Sequence, residues 1–248
     1  MIISHRHRFI FIKTQKTAGT SIEVALSKVV GDDAVVTPVY PPVEGHHPRN
    51  FSLPGEPTLD RRWRARHRRQ QLSRRLQGRP VAAPPTAYWN HMRLREVLRV
   101  AGEERLAGYT TFAFERDPFD KVLSAYRWAI KDASSPPSLS EWLLSRHPAG
   151  RADYLTAESL PVDFDRYSLD GATVGVDHVG RYEQLAGDLA AIVETVGIDP
   201  ASIELPRTKT TAARGDESGP ALGQKDIEVI AKAFSREIAC FGFAPPPD

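Results

Sequence analysis

A continuous apolar run, Phe9 to Ile12, gives way to the small and polar stretch Thr14-Gln15-Lys16-Thr17-Ala18-Gly19-Thr20-Ser21, and this junction constrains the fold more than any other part of the chain. Four consecutive apolar residues suit a strand covered on both faces. Beyond the polar stretch, Ile22, Ala25, Leu26, Val29 and Val30 recur at three- and four-residue spacing, one apolar face of a helix ending at Gly31. Strand, loop and helix in that order open an α/β layer. Ala34 to Val39 is expected as a second strand, set beside the first by a right-handed crossover.

The same grammar returns further on. Tyr109 to Glu115 reads as a strand, and Asp117 and Pro118 as the cap and first residue of a helix carrying Val122, Ala125, Tyr126, Ala129 and Ile130 on one face. Val174 to Val179 is expected as a further strand, with Leu185, Leu189, Ile192, Val193 and Val196 forming its helix up to Gly197. Shorter helical patterns start at Leu94 and Leu139, and a last helix runs through Ile227, Ile230, Phe234, Ile238 and Phe241. Strands alternating with helices predict an α/β fold of three layers, a mainly parallel sheet flanked by helices, with ligands at the carboxyl ends of the strands. We expect one domain over residues 1–248, interrupted by an irregular, arginine-rich excursion at about 41–87.

Composition narrows the chemistry. One cysteine, Cys240, cannot make an internal disulfide, a thiolate metal cluster or a two-cysteine redox centre within one chain. No apolar run approaches the roughly 20 residues of a membrane-spanning helix, and Phe9 to Ile12 is too short for a signal-peptide core, so a cytoplasmic protein is expected. The net charge of +2 hides an asymmetry: residues 61–79 hold nine arginines and no acid, leaving the rest of the chain net acidic. Such a block either stays solvated or binds a polyanion.

Both strand-to-helix junctions, at 14–21 and 116–118, bring unpaired backbone N–H groups and a helix N-terminus to the ligand edge of the sheet, each beside a fixed cation, Lys16 or Arg116. Two such sites side by side suit a ligand with two separated phosphates. The nucleotide P-loop pattern ends in Gly-Lys-[Ser/Thr]; here lysine precedes glycine, which disfavours that mode of ATP binding.

The loop Lys16-Thr17-Ala18-Gly19-Thr20-Ser21 resembles the 5′-phosphosulfate loop of sulfotransferases that use 3′-phosphoadenosine 5′-phosphosulfate (PAPS). The segment Phe114 to Tyr126, with Arg116 at a strand end and Ser124 eight residues later, is similar to their 3′-phosphate motif. Tyr88-Trp89-Asn90-His91-Met92, Val179-Gly180-Arg181-Tyr182-Glu183 and the closing Glu237 to Phe243 resemble segments of the bacterial, carbohydrate-type group. One departure stands out: Gln15 occupies the place where that family usually has proline.

The resemblance implies a P-loop-like sulfotransferase fold and transfer of a sulfuryl group from PAPS to a hydroxyl of a carbohydrate or small metabolite, with no metal. Lys16 would meet charge on the leaving 5′-phosphate. Backbone N–H groups of Thr17, Ala18, Gly19 and Thr20, with the hydroxyls of Thr20 and Ser21, would hold the phosphosulfate, while Arg116 and Ser124 would bind the 3′-phosphate. A base for the acceptor hydroxyl is sought among eight histidines, His91 first and His46 or His47 second. Two rivals remain: a polyanion- or nucleic-acid-binding protein using residues 61–79, with nucleic acid the less favoured partner, and a kinase-like phosphotransferase. Arg181 and Arg214 read as structural, and the oligomeric state stays open.

Overall fold

The computed structural model describes residues 1–39, 41–51, 88–145, 159–206 and 221–246. The arginine block 61–79, with Trp63 in it, and Arg214 lie outside them. Five strands form one sheet: β1 (Ile2–Ser4), β2 (Phe9–Phe11), β3 (Val35–Val36), β4 (Thr110–Glu115) and β5 (His178–Arg181). Their order is β3-β1-β2-β4-β5. β2, β4 and β5 run parallel, whereas β1 is antiparallel to both β2 and β3.

The expectation of a mainly parallel sheet is therefore corrected to a mixed one. Its parallel half carries both strand-to-helix junctions expected to bind anions. The antiparallel half arises because Ile2–Ser4 folds back on Phe9–Phe11 through a tight turn at His5-Arg6-His7-Arg8, where Arg8 takes φ 51°. The edge strand at Val35–Val36 then pairs with β1 and not with β2, so the expected crossover beside Phe9 to Ile12 is absent. β5 also starts later than predicted. Asp170 closes a turn by accepting from the Ala172 and Thr173 N–H groups, and Asp177 reaches across to the Thr111 N–H at 2.7 Å before pairing begins.

Strand alternation sorts the core into two layers. Ile2, Phe9, Phe11, Val36, Phe112 and Phe114 face one way and pack on α1 (Gly19–Ser27) and the helix Leu185–Thr195. Met1, Ile3, Ile10, Ile12, Val35 and Ala113 face the other, against α2 (Leu94–Ala101) and the short helix Phe164–Tyr167. The helix α3 (Pro118–Ile130) belongs to a third cluster with Leu139–Leu144 and Gln224–Ala233. The predicted single C-terminal helix is two, Gln224–Ala233 and Ser235–Phe241. Trp142 is buried in this third cluster, whereas Trp128 is half exposed.

The excursion leaves and returns at one place. The Tyr88 N–H donates to the Phe51 carbonyl at 3.1 Å, and Arg49 forms a bridge with Val36 while its guanidinium binds the carbonyls of Ser27 and Gly31. Among the described residues no helix is long and apolar enough to cross a membrane.

Candidate active site

The loop after β2 is held from below. Lys13 is buried and its Nζ donates to Glu23 Oε2 at 2.5 Å and to Thr20 Oγ1 at 3.2 Å. Burial alone would raise the Glu23 carboxyl, but Lys13 and the Met1 amine outweigh it and hold the carboxyl down at about 2. Because Thr20 Oγ1 accepts from Lys13, its own proton is left to donate elsewhere. Gly19 is required here by close approach: a Cβ would stand 2.7 Å from Lys13 Cγ, whose ammonium is pinned at the far end.

Two non-glycine residues of the loop, Lys16 (φ 59°) and Ala18 (φ 56°), occupy the left-handed region. Such conformations cost of order 1–3 kcal/mol and gather where backbone N–H groups must converge. Ala18 caps α1 without a side-chain bond, and no acid lies in the first turn of that helix. The helix start is thus left electropositive, and carboxylates are kept out of it.

The second junction meets the first. Asp117 caps α3 by accepting from the N–H groups of Phe119 and Asp120 at 2.9 and 3.1 Å, with Pro118 in the first turn, as the sequence predicted. Arg116 Nη1 donates to the Lys16 carbonyl at 3.3 Å, and the guanidinium lies 4.1 Å from the Tyr182 ring centroid. Its Nε is buried without a hydrogen-bond partner among the described residues. Ser124 sits half-buried two turns into α3, and Trp128 follows one turn later on the same side, its ring centroid 5.5 Å from Lys16 Nζ.

His91 reaches the loop from the far side. Its backbone is left-handed (φ 62°), and Nδ1 lies 3.0 Å from the Lys13 carbonyl. A carbonyl can only accept, so Nδ1 carries the proton and Nε2 is the bare nitrogen. Burial, with Arg166 and Lys13 nearby, lowers the imidazole to about 3 and keeps it neutral at physiological pH. His46 is buried within the field of Glu23 and Lys13, with Nε2 lacking a partner among the described residues; His47 is exposed. Arg181 donates to the Phe241 carbonyl and lies over the Phe243 ring.

Sequence reasoning passed over the ions beneath the site. Lys121 Nζ bonds Glu115 Oε1 at 2.5 Å and Asp163 Oδ2 at 2.8 Å, all three side chains being fully buried. Their only sequence signal is charge inside apolar runs.

Residues 1–244 match the model of the sulfotransferase family. The chain belongs to the sulfotransferase family. No curated protein and no solved structure gives a match. This sulfotransferase is therefore a sulfuryl-transferring enzyme, and the two junctions built around Lys16 and Arg116 form its candidate active site.

The low His91 value has a consequence for stability. The unfolded chain binds a proton near pH 6.5, whereas the folded imidazole binds one only near 3. The stability that follows is complete above 6.5 and lost as pH falls through this window, at most roughly 1.4 kcal/mol per pH unit. Urea midpoints should fall between pH 7 and pH 5 in the native protein and fall less in His91→Gln; an equal drop in both would show that other groups set the slope.

Proposed function

We propose that this sulfotransferase uses PAPS as donor and sulfates a hydroxyl of a carbohydrate or small metabolite, on a P-loop-like fold. The observation that carries the donor reading is the 3.3 Å contact between the Arg116 guanidinium and the Lys16 carbonyl. It supports the reading because the two strand-helix junctions touch, within the span of one doubly phosphorylated nucleotide.

The roles follow from the chemistry of each group. Backbone N–H groups from Thr17 to Thr20 and the hydroxyls of Thr20 and Ser21 bind the phosphosulfate, while Arg116 and Ser124 take the 3′-phosphate. As the acceptor oxygen bonds to sulfur and the bond from sulfur to the phosphate oxygen breaks, Lys16 neutralises charge on that departing oxygen. His91 Nε2 is the site proposed for the acceptor proton: the imidazole is neutral and so free to take it, although burial, by lowering it to about 3, makes it a weak base in the ligand-free protein. Trp128, half exposed beside Lys16, offers an apolar platform that suits the face of a sugar or another ring.

Calorimetry with adenosine 3′,5′-bisphosphate, the desulfated donor, tests the reading. We expect saturable binding that exceeds the affinity for adenosine 5′-monophosphate. No heat of binding up to millimolar ligand would overturn the donor assignment.

A further inference from the structure

Beneath the loop a single carboxylate joins segments that lie far apart in sequence. Asp163 is fully buried. Its Oδ2 accepts from the Gln15 backbone N–H at 2.7 Å and pairs with Lys121 Nζ at 2.8 Å, and its Oδ1 pairs with Arg166 Nε. Each partner leads to a different part of the site. Gln15 directly precedes Lys16. Lys121 belongs to the helix that Asp117 caps, and it also holds Glu115, whose Oε1 accepts from the Arg116 N–H at 2.9 Å. Arg166 Nη1 donates to the His91 carbonyl. Glu237 completes the cluster by accepting from the Asp163 and Phe164 N–H groups at 3.2 and 3.1 Å.

We propose that Asp163 is the positioning residue of the transfer site, one buried carboxylate that fixes the donor loop through Gln15, the arginine-bearing helix through Lys121 and the histidine turn through Arg166. The proposal rests on the donor reading above only for what the loop binds.

Stability is a poor reason for such a cluster. Taking several charges out of water costs about as much as their pairing returns, and well-packed apolar side chains would do as well. What ions and directed hydrogen bonds add is geometry, because each fixes distance and angle where apolar contacts allow slippage. Burial would raise the Asp163 carboxyl, but Lys121 and Arg166 outweigh it and keep the group ionised, so all three arms stay engaged. Gln15 reaches Asp163 twice, through its backbone N–H and through its side-chain amide, whose Nε2 donates to Oδ1 at 3.4 Å; proline at this position would offer neither. A misplacement of about 1 Å at reacting groups can cost of order a hundredfold in rate, so a shared anchor for three of them has functional weight.

Two variants of the full chain separate positioning from mere support. Asp163→Asn keeps the shape but loses the charge that holds Lys121 and Arg166. In cooperatively melting protein, we expect exchange of the Gln15 amide, which Asp163 accepts, to quicken at least tenfold, exchange in 110–115 to stay slow, and affinity for adenosine 3′,5′-bisphosphate to fall about tenfold. Arg166→Lys should release only the histidine arm, quickening exchange of the Arg93 amide while the Gln15 amide stays protected; this variant decides the matter if Asp163→Asn does not fold. Unchanged exchange at Gln15 in folded Asp163→Asn, or at Arg93 in Arg166→Lys, would overturn the proposal. Wild-type protein that binds no bisphosphate would instead overturn the donor reading, with the exchange pattern alone deciding the role of Asp163.

Discussion

Lys16→Ala is expected to lower the turnover number by about a hundredfold to a thousandfold, the loss typical when one preorganised donor to a developing anion is removed. The expectation rests on where the lysine stands. Its backbone is already left-handed, between β2 and α1, and its ammonium lies 5.5 Å from the Trp128 ring centroid. The ground-state phosphate keeps the loop N–H groups and the helix start, so bisphosphate affinity should fall no more than about tenfold. A selective loss of turnover is the signature of an interaction made chiefly in the transition state. The measurement is bisphosphate released per enzyme in the presence of an accepted hydroxyl substrate, beside calorimetry on the same preparation. Turnover equal to wild type would remove Lys16 from the chemistry, and an equal loss of affinity and turnover would make it a binding residue only.

How much of this was legible before any coordinates follows from the range of each interaction. The two junctions could be read because their physics is local: an apolar run, a stretch of small residues, a cap such as Asp117 and a proline in the first turn. The helices at 94–101, 118–130 and 185–195 came from apolar periodicity for the same reason. Strand Ile2–Ser4 escaped notice because three residues are too few to show a period, and missing it displaced Val35–Val36 from its true neighbour. That error turned a mixed sheet into a mainly parallel one. The buried ions were out of reach for a different cause. Lys13 with Glu23 spans one turn of chain and helix, but Gln15 and Asp163 lie 148 residues apart, and no pattern in a single sequence pairs them. The histidines mark the boundary between the two cases. The sequence could rank His91 above His46, yet only the fold shows the Nδ1 bond to the Lys13 carbonyl that fixes which nitrogen is bare.

Arg116→Ala should act on recognition and not on the transfer step. A guanidinium that grips a phosphate through charge-assisted bonds contributes about 3 kcal/mol, so affinity for adenosine 3′,5′-bisphosphate should fall about a hundredfold. Affinity for adenosine 5′-monophosphate, which has no group for this arginine to meet, should change little. The comparison guards against an indirect effect, because Arg116 also donates to the Lys16 carbonyl and packs on Tyr182. Were those contacts the whole of its role, removing them would loosen the 5′-phosphate loop, and both nucleotides would weaken together. Calorimetric titrations of the two ligands against native and variant protein separate the cases: a collapsed preference for the 3′-phosphate assigns that group to Arg116, and parallel losses assign the arginine to loop support. The buried Nε, without a hydrogen-bond partner among the described residues, favours the first outcome, since a guanidinium placed only to brace the loop would have its donors satisfied by the protein itself.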